Sequence, residues 1–188
     1  MKIDLLKADR DYYDAPTEPT LRTFGPYPYA TVVGVGEPEG ERYVEAVGEL
    51  YRAVYGAKKQ AKAQGRDFTV AKLEGLWWVE GDREPLKVPR AEWHWKMMIR
   101  VPEFVAAQQL QGVAHEWVEE GECVQVMHIG PYATEPETLA RLEAFIAESG
   151  LTYRDRHHEI YLSDPRRTAP ERMKTILRQP VQRISRPR

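Results

Sequence analysis

Apolar positions along this chain follow two periods that alternate. From Tyr29 to Val35 they run almost unbroken into the turn GVGEPEG, which predicts a strand closed by Gly and Pro. From about Glu41 onward, Val44, Val47, Leu50, Tyr51 and Val54 recur at the spacing of one helical face. Lys58, Lys59 and Lys62 lie toward the end of that stretch, where cations suit the helix dipole, and Gly65 is the expected stop. Two extended segments follow, Phe68 to Glu80 and Ala91 to Val101, separated by the charged turn GDREPLKVPR. The unit is β-α-β-β.

Pro102 in a first helical turn, with Phe104, Val105, Leu110, Val113 and Trp117 behind it, predicts a second helix to about Glu119. The pattern then restarts. Val124 to Ile129 is a strand ending at Gly130, and Thr134-Glu135-Pro136-Glu137 has the form of a capping box. The helix after it shows Leu139, Leu142, Phe145 and Ile146 on one face and stops at Gly150. His157 to Ser163 is the last strand, and Thr168-Ala169-Pro170-Glu171 predicts a short C-terminal helix carrying Met173, Ile176 and Leu177. Val126 lies 94 residues after Val32, and Leu139 lies 95 after Val44. A near-constant offset across two kinds of element argues for a duplicated β-α-β-β unit, an arrangement that commonly leaves a cleft at the junction. The expected organisation is an N-terminal arm over 1–20, broken by Pro16 and Pro19, and a single domain over 21–188. Repeat one spans about 21–101 and repeat two about 102–188.

Composition narrows the function classes. The 188 residues carry 42% hydrophobic content and a formal net charge of −2, which fits a globular domain and disfavours coating of nucleic acid. No apolar run approaches the ~20 residues that span a bilayer, and MKIDLLKADRD has no signal-peptide core, so a cytoplasmic location without membrane contact is expected. Cys123 is alone and is expected in the core. Five Trp and ten Tyr against four Phe favour rings with a polar handle, which suit a ligand cavity as well as a core.

The segment HHEIYLSDPR concentrates the candidate chemistry. In a strand, His157, Glu159 and Tyr161 share one face, and His158, Ile160 and Leu162 the other. The apolar side is expected to meet helices, which leaves Glu159 between an imidazole and a phenol on the opposite face. An exposed polar sheet face is the plain alternative. If that face is enclosed, Glu159 is a buried charge that calls for a cationic ligand, hydrogen bonds or a raised pKa. Trp77 and Trp78 in LEGLWW, and Trp93 and Trp95 in WHW, are candidate walls for a flat apolar or cationic molecule, although such Trp are commonly core. The histidines show no HxxxH or HExxH spacing, so neither a metal nor a cofactor is expected. Gly34-Val35-Gly36 lacks the rest of a dinucleotide fingerprint and precedes acidic residues that would repel phosphate. The eight basic residues from Arg166 to Arg188 are expected to form a solvated end.

KLEGLWW at 72–78, WHWKMMIRVPEFV at 93–105, VQVMHIGPYATEP at 124–136 and HHEIYLSDPRRTAPERMKTILRQPV at 157–181 resemble GyrI-like (gyrase-inhibitor-like) small-molecule-binding proteins. The resemblance implies an α+β fold of duplicated β-α-β-β units, with antiparallel sheet and a ligand cleft between the repeats. It implies no cofactor and no nucleic-acid partner; the ligand is a small hydrophobic or cationic compound. In multidrug-responsive activators of this family a buried glutamate on the last strand of the cavity attracts lipophilic cations, and Glu159 stands at that position. With only a short arm before the domain, the chain resembles stand-alone members that hydrolyse cyclopropane-bearing alkylating toxins. By that resemblance Glu159 activates water and Tyr161 hydrogen-bonds to it or to substrate. Trp77, Trp78, Trp93, Trp95, His157 and Tyr132 are then ligand contacts. A non-catalytic drug-sequestering or sensing module is the alternative. So is a gyrase or other protein-interaction factor using the acidic patch Glu37, Glu39, Glu41 and Glu45.

Overall fold

The structure is a computed structural model that describes residues 2–185. Its elements are β1 (Lys2–Ile3), α1 (Leu5–Ala8), β2 (Thr20–Val35), α2 (Glu41–Ala63), β3 (Asp67–Phe68), β4 (Leu73–Trp78), β5 (His94–Arg100), β6 (Ala114–Ile129), α3 (Glu135–Glu148), β7 (Leu151–Tyr153), β8 (His157–Tyr161) and β9 (Lys174–Arg183). They fall into two units. Unit 1 comprises the residues up to Arg10 and Tyr27–Val118; unit 2 comprises Asp11–Pro26 and Glu119–Arg188. Each carries the β-α-β-β order, and the fold is α+β with antiparallel pairing among the main strands. No helix among the described residues is long and apolar enough to cross a membrane.

In unit 1, β5 lies between β2 and β4, with Gly34 opposite Trp95 and Trp95 opposite Trp77. α2 buries Ala46, Leu50, Ala53, Val54, Ala57 and Ala61. The stripe is rotated from the expected one, because four alanines allow close approach while Val44 stays 59% exposed. In unit 2, β9 pairs with both β6 and β8. α3 lays Leu142 and Ile146 onto Val124, Val126, Leu177 and Val181, with Leu139 and Phe145 packed alongside. Gly150, at φ 68°, supplies the left-handed stop expected of it.

Two expected helices are absent, and each failure has a physical cause. Residues 102–113 form turns and a short 3-10 segment, and the Gly112 turn at φ 82° leads directly into β6, so Trp117 is a strand residue and 53% exposed. Beyond the 3-10 turn at Pro170–Arg172 the chain is strand β9, buried continuously from Thr175 to Val181. A strand buried on both faces shows no alternation, so its apolar spacing mimicked a helix. The tail is not a solvated end over this stretch, because Arg178 is fully buried. Arg186 and Arg188 lie outside the described residues. The Thr134 capping box does not form either, since the Thr134 hydroxyl donates to the Pro131 carbonyl at 2.9 Å.

Candidate functional site

Strand alternation sorts β8 as its sequence requires. His158 and Ile160 point to one face, where His158 Nδ1 meets both oxygens of Glu120 at 2.9 Å. His157, Glu159 and Tyr161 share the other. The expectation that this second face lies away from the helices is overturned. Glu159 is in register with Leu177, and Leu177 with Val126, and both belong to the core beneath α3. The carboxylate therefore sits on the helix side of unit 2.

Three donors converge on Glu159. His157 Nε2 lies 3.2 Å from Oε1, Tyr161 donates its hydroxyl to Oε2 at 2.9 Å, and Glu135, the first residue of α3, supplies a carboxyl hydrogen bond. Burial alone would raise the Glu159 pKa, but the His157, Glu135 and Tyr161 hydrogen bonds hold it below the usual carboxylate value. Glu135 moves the other way. Its burial, followed by the negative charge of Glu159, pushes it up to about 10, against the pull of the helix N-terminus toward ionisation. The two carboxyls are thus driven apart, Glu135 toward the protonated form and Glu159 toward the ionised one. Glu135 is only 8% exposed, and its Oε1 has no hydrogen-bond partner among the described residues.

The surroundings fix this geometry. Tyr132 packs edge-on against Tyr161, with ring centres 5.9 Å apart. His128 Nδ1 lies 2.7 Å from the Thr138 hydroxyl and Nε2 lies 2.9 Å from the Pro131 carbonyl, which ties the end of β6 to the turn and to α3. Gly130 holds φ 138°, and a Cβ there would meet Thr134 Oγ1 at 3.1 Å. The turn GPYA therefore needs this glycine to bring Tyr132 and Glu135 into place.

Of the residues singled out from sequence, unit 2 brings together His157, Glu159, Tyr161 and Tyr132. Glu135 was missed as chemistry because it sat inside an apparent helix cap; its spacing carried no signal, since the pair forms only across α3 and β8. The tryptophans lie in unit 1. Trp77 stacks on Tyr43 at 6.0 Å and meets Trp93 edge-on at 6.2 Å, and Trp78 stacks on His94 at 5.5 Å. Trp95 is wholly buried against Tyr43 and Gly34. Unit 1 also holds an open polar groove of about 430 Å³ lined by Glu49, Arg52, Gln60, Gln109 and Gln111, which contains neither a carboxyl pair nor an aromatic wall. Among the described residues no group of three or more His, Cys, Asp or Glu side chains is arranged to hold a metal ion.

Residues 17–182 match the family model described as the GyrI-like small molecule binding domain. Among solved structures, an uncharacterized conserved protein from Listeria innocua is 36% identical, with 96% of this chain and 100% of that one covered and a TM-score of 0.89. A hydrolase from Listeria innocua is 35% identical over 96% and 100%, with a TM-score of 0.84. The EcmrR C-terminal domain, 12% identical over 89% and 98% with a TM-score of 0.65, shows likeness of fold alone. No curated protein matches significantly.

Proposed function

Because the chain belongs to the GyrI-like small-molecule-binding family, we propose that it binds flat hydrophobic compounds at the Glu135–Glu159 pair and adds water to those bearing a strained electrophilic ring, cyclopropane-bearing alkylating toxins first among them. The observation that carries this reading is a pair of hydrogen-bonded, buried carboxyls of which Glu159 alone gathers donors from His157 and Tyr161, an asymmetry that suits one to act as base and the other as acid in addition of water. The 35% identity to a Listeria hydrolase supports an enzyme. Within unit 1 taken by itself, Trp77 and Trp93 are proposed as one aromatic contact for such compounds and Trp78, on the other face of β4, as another; Trp95 has no exposed surface.

In the proposed reaction Glu159 takes a proton from water as the water oxygen attacks a ring carbon. The strained C–C bond breaks, and its electron pair moves into the conjugated carbonyl, whose oxygen takes the Glu135 proton. Transfer from Glu159 back to Glu135 through their hydrogen bond restores the pair, so the net change is addition of one water. Tyr161 and His157 keep Glu159 ionised and oriented.

The test follows ring-opened product by mass spectrometry when the pure protein meets a cyclopropane-bearing DNA alkylator. Glu159→Gln is expected to lower turnover by about 10²–10⁴-fold, the contribution of a general base. Turnover equal to wild type overturns the assignment. The single negative charge on Glu159 also favours a second reading, a protein that holds lipophilic cations without chemistry. Quenching of Trp fluorescence by a cationic dye, with no product from the alkylator, would select it.

A further inference from the structure

Glu135 Oε1 is a buried oxygen with no donor among the described residues, and it belongs to a group already hydrogen-bonded to Glu159. Neither carboxyl has a Lys or Arg partner among the described residues; the imidazole of His157, 3.2 Å from Glu159, carries charge only when protonated. A buried oxygen without a donor, beside a carboxylate whose hydrogen bonds include none from Lys or Arg, leaves room for a further group. We propose that the Glu135–Glu159 pair is a proton-exchange site: a neutral ligand binds with the shared proton in place, and a lipophilic cation binds with that proton expelled to solvent.

This rests on the small-molecule reading above and adds to it the linkage between ligand charge and protonation. His157 and Tyr161 on β8 hydrogen-bond to Glu159; Tyr132 in the turn packs on Tyr161, and His128 on β6 bonds to Thr138 on α3 and Thr134 in the turn. A monovalent cation within about 4–6 Å lowers a carboxyl pKa by roughly 1–3 units. Starting from about 10, that brings the Glu135 proton into the range where it leaves between pH 7 and 9. A neutral ligand supplies no such field, and its N–H or O–H donors, or a water, satisfy Oε1 with the proton retained.

The experiment is isothermal titration of the full chain with methyltriphenylphosphonium and with neutral triphenylphosphine oxide, in buffers of different ionisation enthalpy. Neither probe titrates over the range used. The phosphonium is expected to release up to one proton and to gain about twofold to fiftyfold in affinity from pH 7 to pH 9, the range that a lowering by 1–3 units sets. The oxide is expected to release none and to bind equally at both. Glu135→Gln, nearly isosteric and unable to ionise, is expected to bind the phosphonium without proton release. Release that persists in Glu135→Gln does not come from Glu135 and overturns the proposal. Binding of both probes to wild type without release overturns it too and leaves the small-molecule reading standing, as does binding of the oxide alone. If neither probe binds, the small-molecule reading fails and the proposal with it.

Discussion

Glu135 and Glu159 differ little as isolated side chains, and their neighbours drive them apart. Glu159 gathers donors from His157, Tyr161 and Glu135, whereas Glu135 gains only burial and the charge of Glu159. The divergence has a thermodynamic signature. A carboxyl whose folded pKa lies at about 10, above its ordinary value of 4.5, stabilises the fold fully below pH 4.5 and loses that contribution as pH rises toward 10. Glu159, held low, contributes in the opposite sense, with stability present above 4.5 and lost as pH falls through its folded value. Glu135→Gln removes the first slope and keeps a donor to Glu159. The expected result, read by thermal melting from pH 5 to pH 9, is that the variant gains on wild type as pH rises. Parallel curves would show that Glu135 does not hold the proton.

At the scale of elements, the sequence was legible wherever a residue pattern has one structural solution. α2 and α3 show helical periodicity with glycine stops, and the alternation in HHEIY correctly put His157, Glu159 and Tyr161 on one face. It could not say which face met a helix, because alternation fixes relative sides only. The strand β9 was illegible for a related reason. Thr175 through Val181 are buried on both sides, and Arg178 and Gln179 made the stretch look like surface. The close approach of β2 to Trp95 was hidden as well: a Cβ at Gly34 would overlap the Trp95 ring at Cη2, so this glycine makes room for the indole although its backbone needs no special conformation. Gly34→Ala is therefore expected to cost about 1–3 kcal/mol by overpacking. Gly56→Ala, inside α2 with nothing within 4 Å of the new methyl, is expected to add about 0.8–1 kcal/mol of helix propensity. Urea denaturation of the two variants checks both signs, and a neutral Gly34→Ala would mean that Trp95 is free to move.

Over the whole molecule, the chain supplies unit 2 from two separated stretches, and a buried cation joins them. Arg178 on β9 lies with its guanidinium carbon 3.7 Å from the Phe24 ring centre and 4.6 Å from that of Tyr12. It donates to the Tyr12 carbonyl at 2.7 Å and to Gln125 Oε1 at 3.0 and 3.1 Å, with Glu120 at 3.8 Å. Further bonds extend the seam: Gln125 donates to the Asp14 carbonyl, Met127 N–H to the Pro16 carbonyl and Arg141 to the Thr17 carbonyl. The segment expected as a short N-terminal arm therefore covers a charge buried on β9. Removing residues 1–19 strips Arg178 of the Tyr12 carbonyl and ring together. Gln125 and Glu120 still face Arg178, so the loss is one hydrogen bond from a buried charge, about 1.5–3 kcal/mol, and the truncated chain is expected to melt below the full one, with amides of β9 exchanging first. Tyr12→Ala keeps the carbonyl and is expected to lose less, since it gives up the ring packing and a cation–π contact worth roughly 0.5–2 kcal/mol but no hydrogen bond. Replacing Arg178 with Met in the truncated background separates the causes. If the loss comes from the weakened guanidinium contacts, Met recovers part of it; if Met makes matters worse, the arm contributes through packing of Tyr12 and Tyr13 against Phe24 instead.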